Sequence, residues 1–96
     1  MDRERIFQVL QEQQNELTRR GVQSLAVFGS VARGDFISGS DLGVLVEFNQ
    51  PIGLFDFIRL KLFLEKITGC QVDLVTQDAL HPVLRDQILG EAVYVR

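Results

Sequence analysis

The sequence predicts an α/β domain of the α+β kind, with helices layered on a small β-sheet. Three observations lead there. Apolar residues recur at helical spacing over 3–20 and 53–68, and three short runs rich in Val, Leu and Phe lie at 25–28, 42–48 and 71–76. Glycine or turn residues separate these segments, and helices alternate with strands. With 96 residues, 46% of them hydrophobic, the chain reads as one domain, 1–96, able to bury a modest core.

Residues 3–20 have Ile6, Val9, Leu10 and Leu17 on one face of an amphipathic helix, with Asp2 as a candidate cap and Gly21 to stop it. Gln13 interrupts that stripe. Leu25 to Phe28 reads as a buried strand ending at Gly29, and Ser30 to Arg33 is long enough for one helical turn, with Gly34 to end it. Residues 35–40, DFISGS, have loop chemistry, and Leu42 to Phe48 is a second strand. After the Asn49-Gln50-Pro51 turn, Gly53 to Thr68 reads as a helix with apolar residues on more than one face, ended by Gly69. Gln71 to Thr76 is a third strand, with Asp73 set among Val72, Leu74 and Val75. A last helix from Pro82 to Leu89 has Val83, Leu84, Ile88 and Leu89 facing inward and Gly90 to stop it, and Val93 to Val95 closes the chain as a short strand.

Ten basic and thirteen acidic side chains give a formal charge of −3. Binding of duplex nucleic acid through a basic face is not expected from that balance. The single cysteine, Cys70, forms no internal disulfide, and a reducing compartment, the cytoplasm, is expected. The charged N-terminus and the absence of an apolar run of about 18 residues predict a chain that is neither exported nor membrane-spanning.

The residues that carry chemistry cluster around 29–47. Gly29-Ser30, after a strand and before a helical turn, offers backbone N–H groups to an anion, though Gly-Ser after a strand is also an ordinary turn. Asp41 opens the second strand, and positions 41, 43, 45 and 47 share one sheet face. Carboxylates at 41 and 43 would be placed to bridge two magnesium ions about 4 Å apart on a nucleotide triphosphate. Asp73 would add another if its strand lies alongside, and sheet-end exposure is the plain alternative for it. Arg33 is a candidate phosphate contact, as are Arg59 and Lys61. His81 reads as a helix-start residue and Cys70 as a thiol at a helix-to-strand junction.

Together these residues resemble the minimal nucleotidyltransferase domain of the DNA polymerase β superfamily. The resemblance rests on Gly29-Ser30, Ala32-Arg33-Gly34, Ser40-Asp41, Leu45-Val46-Glu47-Phe48 and Val72-Asp73-Leu74-Val75, and it extends over nearly the whole chain. It implies the DNA polymerase β-like nucleotidyltransferase fold, a small mixed β-sheet flanked by helices, with a triphosphate of ATP held by Gly29, Ser30 and Arg33, and Mg2+ held by acidic residues, here Asp41 and Asp73. It also implies a HEPN-domain ribonuclease toxin as partner, with AMP moved from ATP to a toxin tyrosine and Asp73 nearest the attacking hydroxyl.

One position departs from the pattern. Members of the family have Ser-Asp-x-Asp, whereas this chain has Ser40-Asp41-Leu42-Gly43, so a glycine stands at the second acidic ligand. Impaired catalysis is the expectation, and a binding module that neutralises its partner by complex formation is the alternative. A bulge or close backbone contact at Gly43 is the competing structural account. A carboxylate introduced there is expected to cost little stability, because glycine has no side-chain packing to lose. The wide apolar surface of residues 54–67 predicts an interface, with self-association or with the toxin.

Overall fold

The computed structural model describes residues 3–33 and 41–95, apart from the Arg33 side chain. The candidate cap Asp2 and the segment 34–40, with Gly34, Asp35 and Ser40, lie outside the described residues.

Where the sequence predicts one helix over 3–20, two are found: α1 (Arg3–Glu12) and α2 (Gln14–Arg19). The break falls at Gln13, whose φ of −99° and ψ of 15° leave the helical region. Gln13 carries no apolar side chain to hold that turn against the core, and the change of direction still brings Ile6, Val9, Leu10 and Leu17 to buried positions.

The strands are β1 (Val22–Phe28), β2 (Leu42–Phe48), β3 (Val72–Thr76) and β4 (Val93–Tyr94). They form one sheet in the order β3-β2-β1-β4, confirming the mixed sheet that the family resemblance implies. β1 is antiparallel to β2 and to β4, and β2 is parallel to β3. β1 starts three residues earlier than expected because Val22 pairs with Phe48, across a register shift between Val22 and Ser24. Parallel strands need a crossover, supplied here by α4 (Leu54–Thr68). Gly69 ends α4 with φ +70°, and its N–H donates to Glu65 O at 2.8 Å.

β2 is central, and its first five residues, Leu42 to Val46, are all buried. Alternation sends Leu42, Val44 and Val46 to one face, where they join Leu25 and Val27 of β1, Val72 and Leu74 of β3, Ile6 and Leu10 of α1, and Leu60 and Leu64 of α4 in one core. The other face carries Ala26, Phe28, Gly43, Leu45, Asp73 and Tyr94, as the strand registers require. The helices α1 and α4 therefore cover one face of the sheet.

Two expectations about helices need correction. The last helix, α5 (Pro82–Glu91), runs past Gly90 and buries no residue, and Val83 and Leu84 are 69% and 51% exposed rather than inward. It is fixed at its ends instead: His81 Nδ1 accepts from the Val83 amide at 3.3 Å, and Glu91 accepts from the Gly29 amide. On α4 the excess apolar surface is open, with Leu54, Phe55, Ile58 and Leu62 exposed on one stripe while Leu60 and Leu64 enter the core. Among the described residues, no helix is long and apolar enough to cross a membrane.

Candidate functional site

β1 ends at Phe28, and the chain turns through Gly29 into the single helical turn α3 (Ser30–Arg33). Gly29 has φ +80°, a conformation that side chains with a Cβ rarely adopt, so the turn itself calls for glycine. Val31 is fully buried and pins α3 to the core, while Arg3 Nε donates to Val31 O at 3.0 Å and its guanidinium lies 4.9 Å from the Phe7 ring centre. Ser30 is half-buried at the start of α3. The Gly29 amide does not stand open for an anion, as the sequence leads one to expect: it donates to Glu91 Oε1 at 3.1 Å.

Reading by motif misses Glu91, the partner of the Gly29 amide. Its signal in the sequence is indirect, since an acidic side chain in the last turn of a helix opposes the helix dipole and gains from another partner.

Asp41 stands just before β2 and is exposed, and Leu42 N donates to Gln71 O at 2.7 Å, which sets Asp41 beside the start of β3. Asp73 is exposed on β3, in register with Gly43. Two residues along and one strand across, the Cα atoms of Asp41 and Asp73 are roughly 8 Å apart by standard strand spacing. Both line a cleft of about 740 Å³ that also takes in Lys61, Glu65 and Cys70. Lys61 Nζ lies 3.9 Å from Glu65 Oε2, and that carboxylate accepts from the Val72 amide at 3.0 Å, tying α4 to the start of β3. Arg59 is held elsewhere, by Asp56 at 3.2 Å. A slightly larger cleft of about 780 Å³ lies at the opposite ends of β2 and β3, around Phe48, Phe57 and Asp78. The smaller one is the candidate site because it gathers both aspartates.

Between the aspartates, position 43 presents no ligand. Gly43 is buried and pairs with Phe28 on one side and Asp73 on the other, with no bulge at that point. A Cβ built there would meet the Phe28 ring carbons at 2.7–2.8 Å, well inside the ordinary carbon contact of about 3.5–4.0 Å. What stands nearest is a side chain and not backbone, unlike the contact expected from the sequence: an aromatic ring from the neighbouring strand covers the glycine. A carboxylate at 43 therefore requires the half-buried Phe28 ring to move, and its cost depends on that movement.

Among the described residues, no group of three or more His, Cys, Asp or Glu could hold a metal ion. Mg2+ commonly uses one or two carboxylates together with substrate phosphates, so Asp41 and Asp73 suit a single ion carried by a nucleotide. Position 43 adds no carboxylate to this pair, and the Phe28 ring lies where a Cβ of residue 43 would stand.

The model of the nucleotidyltransferase domain family matches residues 5–95. The chain belongs to that family. An adenylyltransferase, MntA, of Thermococcus cleftensis is 39% identical over 96% of this chain and 94% of its own. A Methanocaldococcus jannaschii protein assigned as an adenylyltransferase is 44% identical over 82% of this chain and 85% of its own. A solved structure assigned as a minimal nucleotidyltransferase is 42% identical with a TM-score of 0.85, covering 97% of this chain and 95% of that one. These matches place the chain with the minimal, MntA-like nucleotidyltransferase domains.

Two more distant structures share the fold at 19% identity. One is a toxin–antitoxin assembly solved with AMP-PNP, with a TM-score of 0.73 over 100% of this chain and 73% of that one. The other comes from a complex of the tri-AMPylated Shewanella oneidensis HEPN toxin with its MNT antitoxin, with a TM-score of 0.66 over 94% of this chain and 71% of that one. Of the residues expected at the site, the cleft brings together Asp41 and Asp73 and does not take in Gly29 or Ser30, which follow the end of β1 where Val31 packs α3 into the core shared with α1 and α4. Arg33 ends α3 nearby in sequence, with its side chain outside the described residues.

Proposed function

We propose that this minimal nucleotidyltransferase domain is an antitoxin whose partner is a HEPN ribonuclease toxin, and that its transfer of AMP from ATP to a toxin tyrosine is impaired at Gly43. Family membership and the shared fold with an MNT antitoxin bound to an AMPylated toxin support the reaction class. The observation that carries the impairment is the row Phe28, Gly43 and Asp73 across three strands, with a ring where a carboxylate would be needed.

In this reading Gly29, Ser30 and Arg33 hold the triphosphate, which requires the Gly29 amide to exchange Glu91 for a phosphate oxygen. Asp41 and Asp73 hold the Mg2+ that ATP brings, and that ion supplies charge neutralisation at the phosphates. The tyrosine oxygen bonds to the α-phosphorus, the bond from that phosphorus to the pyrophosphate oxygen breaks, and the phenolic proton passes to Asp73 or to water. Loss of one bridging carboxylate removes part of the several kcal/mol that a second ion contributes at the transferring group. The free thiol of Cys70 suits a reducing compartment, and we place the protein in the cytoplasm.

The second reading, a binding module that neutralises the toxin by occupying it, is favoured by the open apolar stripe of α4. Co-expression with the HEPN toxin, followed by intact-mass measurement and a ribonuclease assay, separates the two. Slow addition of one AMP that Asp73→Asn abolishes supports impaired transfer. Silencing of the ribonuclease without any mass change, in proportion to the complex formed, supports the binding module. A toxin neither bound nor modified would sink both.

A further inference from the structure

Phe28 is the last residue of β1, Gly43 the second of β2 and Asp73 the second of β3. Register places all three in one row across the sheet. Three Phe28 ring carbons lie 2.7–2.8 Å from the point that a Cβ on Gly43 would occupy, so the ring can rest there only because residue 43 has no side chain. The dependence is mutual. A glycine in a central strand leaves its backbone uncovered, and a cross-strand aromatic ring restores the missing packing.

We infer that Phe28 and Gly43 form one unit, an aromatic plug that closes the ligand position between Asp41 and Asp73 and sets the site's metal stoichiometry. An aspartate at 43 adds a Cβ and three further atoms, and the ring has to leave its place before any of them fit. The half-buried Phe28 can swing only by giving up that packing. A single substitution at 43 therefore does not rebuild the site, and the position is governed as much by Phe28 as by Gly43. The metal part of this inference rests on reading Asp41 and Asp73 as ligands; the packing part does not.

The test is a double-mutant cycle read in two ways. Thermal melting of the parent, Gly43→Ala, Phe28→Ala and the double variant needs no ligand. Gly43→Ala is expected to lower Tm by several degrees in the parent and by distinctly less when Phe28 is already alanine. Equal shifts in the two backgrounds would overturn the coupling. Mn2+ titration with AMP-PNP, followed by electron paramagnetic resonance, reads the site directly. The parent and Gly43→Asp are expected to take one Mn2+ per chain, and Phe28→Ala/Gly43→Asp a second. A second ion already bound by Gly43→Asp alone, or none gained by a folded double variant, would overturn the plug as the cause. Failure of the parent to bind any Mn2+ with AMP-PNP would count against the nucleotide-binding reading alone, and the melting cycle would still decide the coupling.

Discussion

Glu91 and Gly29, 62 residues apart, meet just past the end of β1, where the Glu91 carboxylate accepts from the Gly29 amide at 3.1 Å. This contact joins the end of α5 to the turn after β1, and it uses a donor that a phosphate would need. Removing the charge while keeping an acceptor should relieve repulsion toward the triphosphate. Glu91→Gln is expected to bind AMP-PNP several-fold more tightly in calorimetry, while Glu91→Ala loses about 1–3 kcal/mol of stability with the hydrogen bond. Unchanged or weaker affinity in Glu91→Gln would show that carboxylate and phosphate do not share this amide.

Nucleotide binding should depend on the ion that Asp41 and Asp73 hold. We expect weak ATP binding that requires Mg2+ and weakens further in Asp41→Asn and in Asp73→Asn, because each change removes one of the two proposed carboxylate ligands. Tight binding without Mg2+, indifferent to both substitutions, would place the phosphate site elsewhere.

The stripe of Leu54, Phe55, Ile58 and Leu62 is more apolar surface than a small monomer commonly leaves open. The parent is expected to self-associate in sedimentation or to form a stable complex with a co-expressed HEPN partner. Phe55→Glu combined with Leu62→Glu should abolish either without lowering Tm, since neither side chain enters the core. A parent that runs as a monomer and ignores the partner at micromolar concentration would leave the stripe without a binding role.

Two leucines on the same helix should behave oppositely on truncation. Leu64 is fully buried among α1, α4 and the sheet, so Leu64→Ala is expected to cost about 2–5 kcal/mol in denaturant unfolding. Leu62 is 57% exposed, and Leu62→Ala should stay within about 0.5 kcal/mol of the parent. Similar costs for both would mean that α4 is seated differently from the arrangement described.

The sequence by itself determined the order of strands and helices along the chain, because alternation, helical spacing and glycine stops are local signals. Leu42 to Phe48 reads as a strand from its own composition, and it is that strand. Asp73 inside an apolar run, and Gly43 where a carboxylate is expected, both stand out without a structure. Pairing is not local, and tertiary structure alone decided what lies beside Gly43. Register across β1 and β2 brought Phe28 opposite it, turning an apparent vacancy into an occupied position. The same holds for Glu91, whose partner is 62 residues away, and for Val83 and Leu84, whose apolar character suggested burial that the rim position of α5 does not provide. Each of these depends on which elements meet, and long-range packing sets that after the local propensities of the chain have been satisfied.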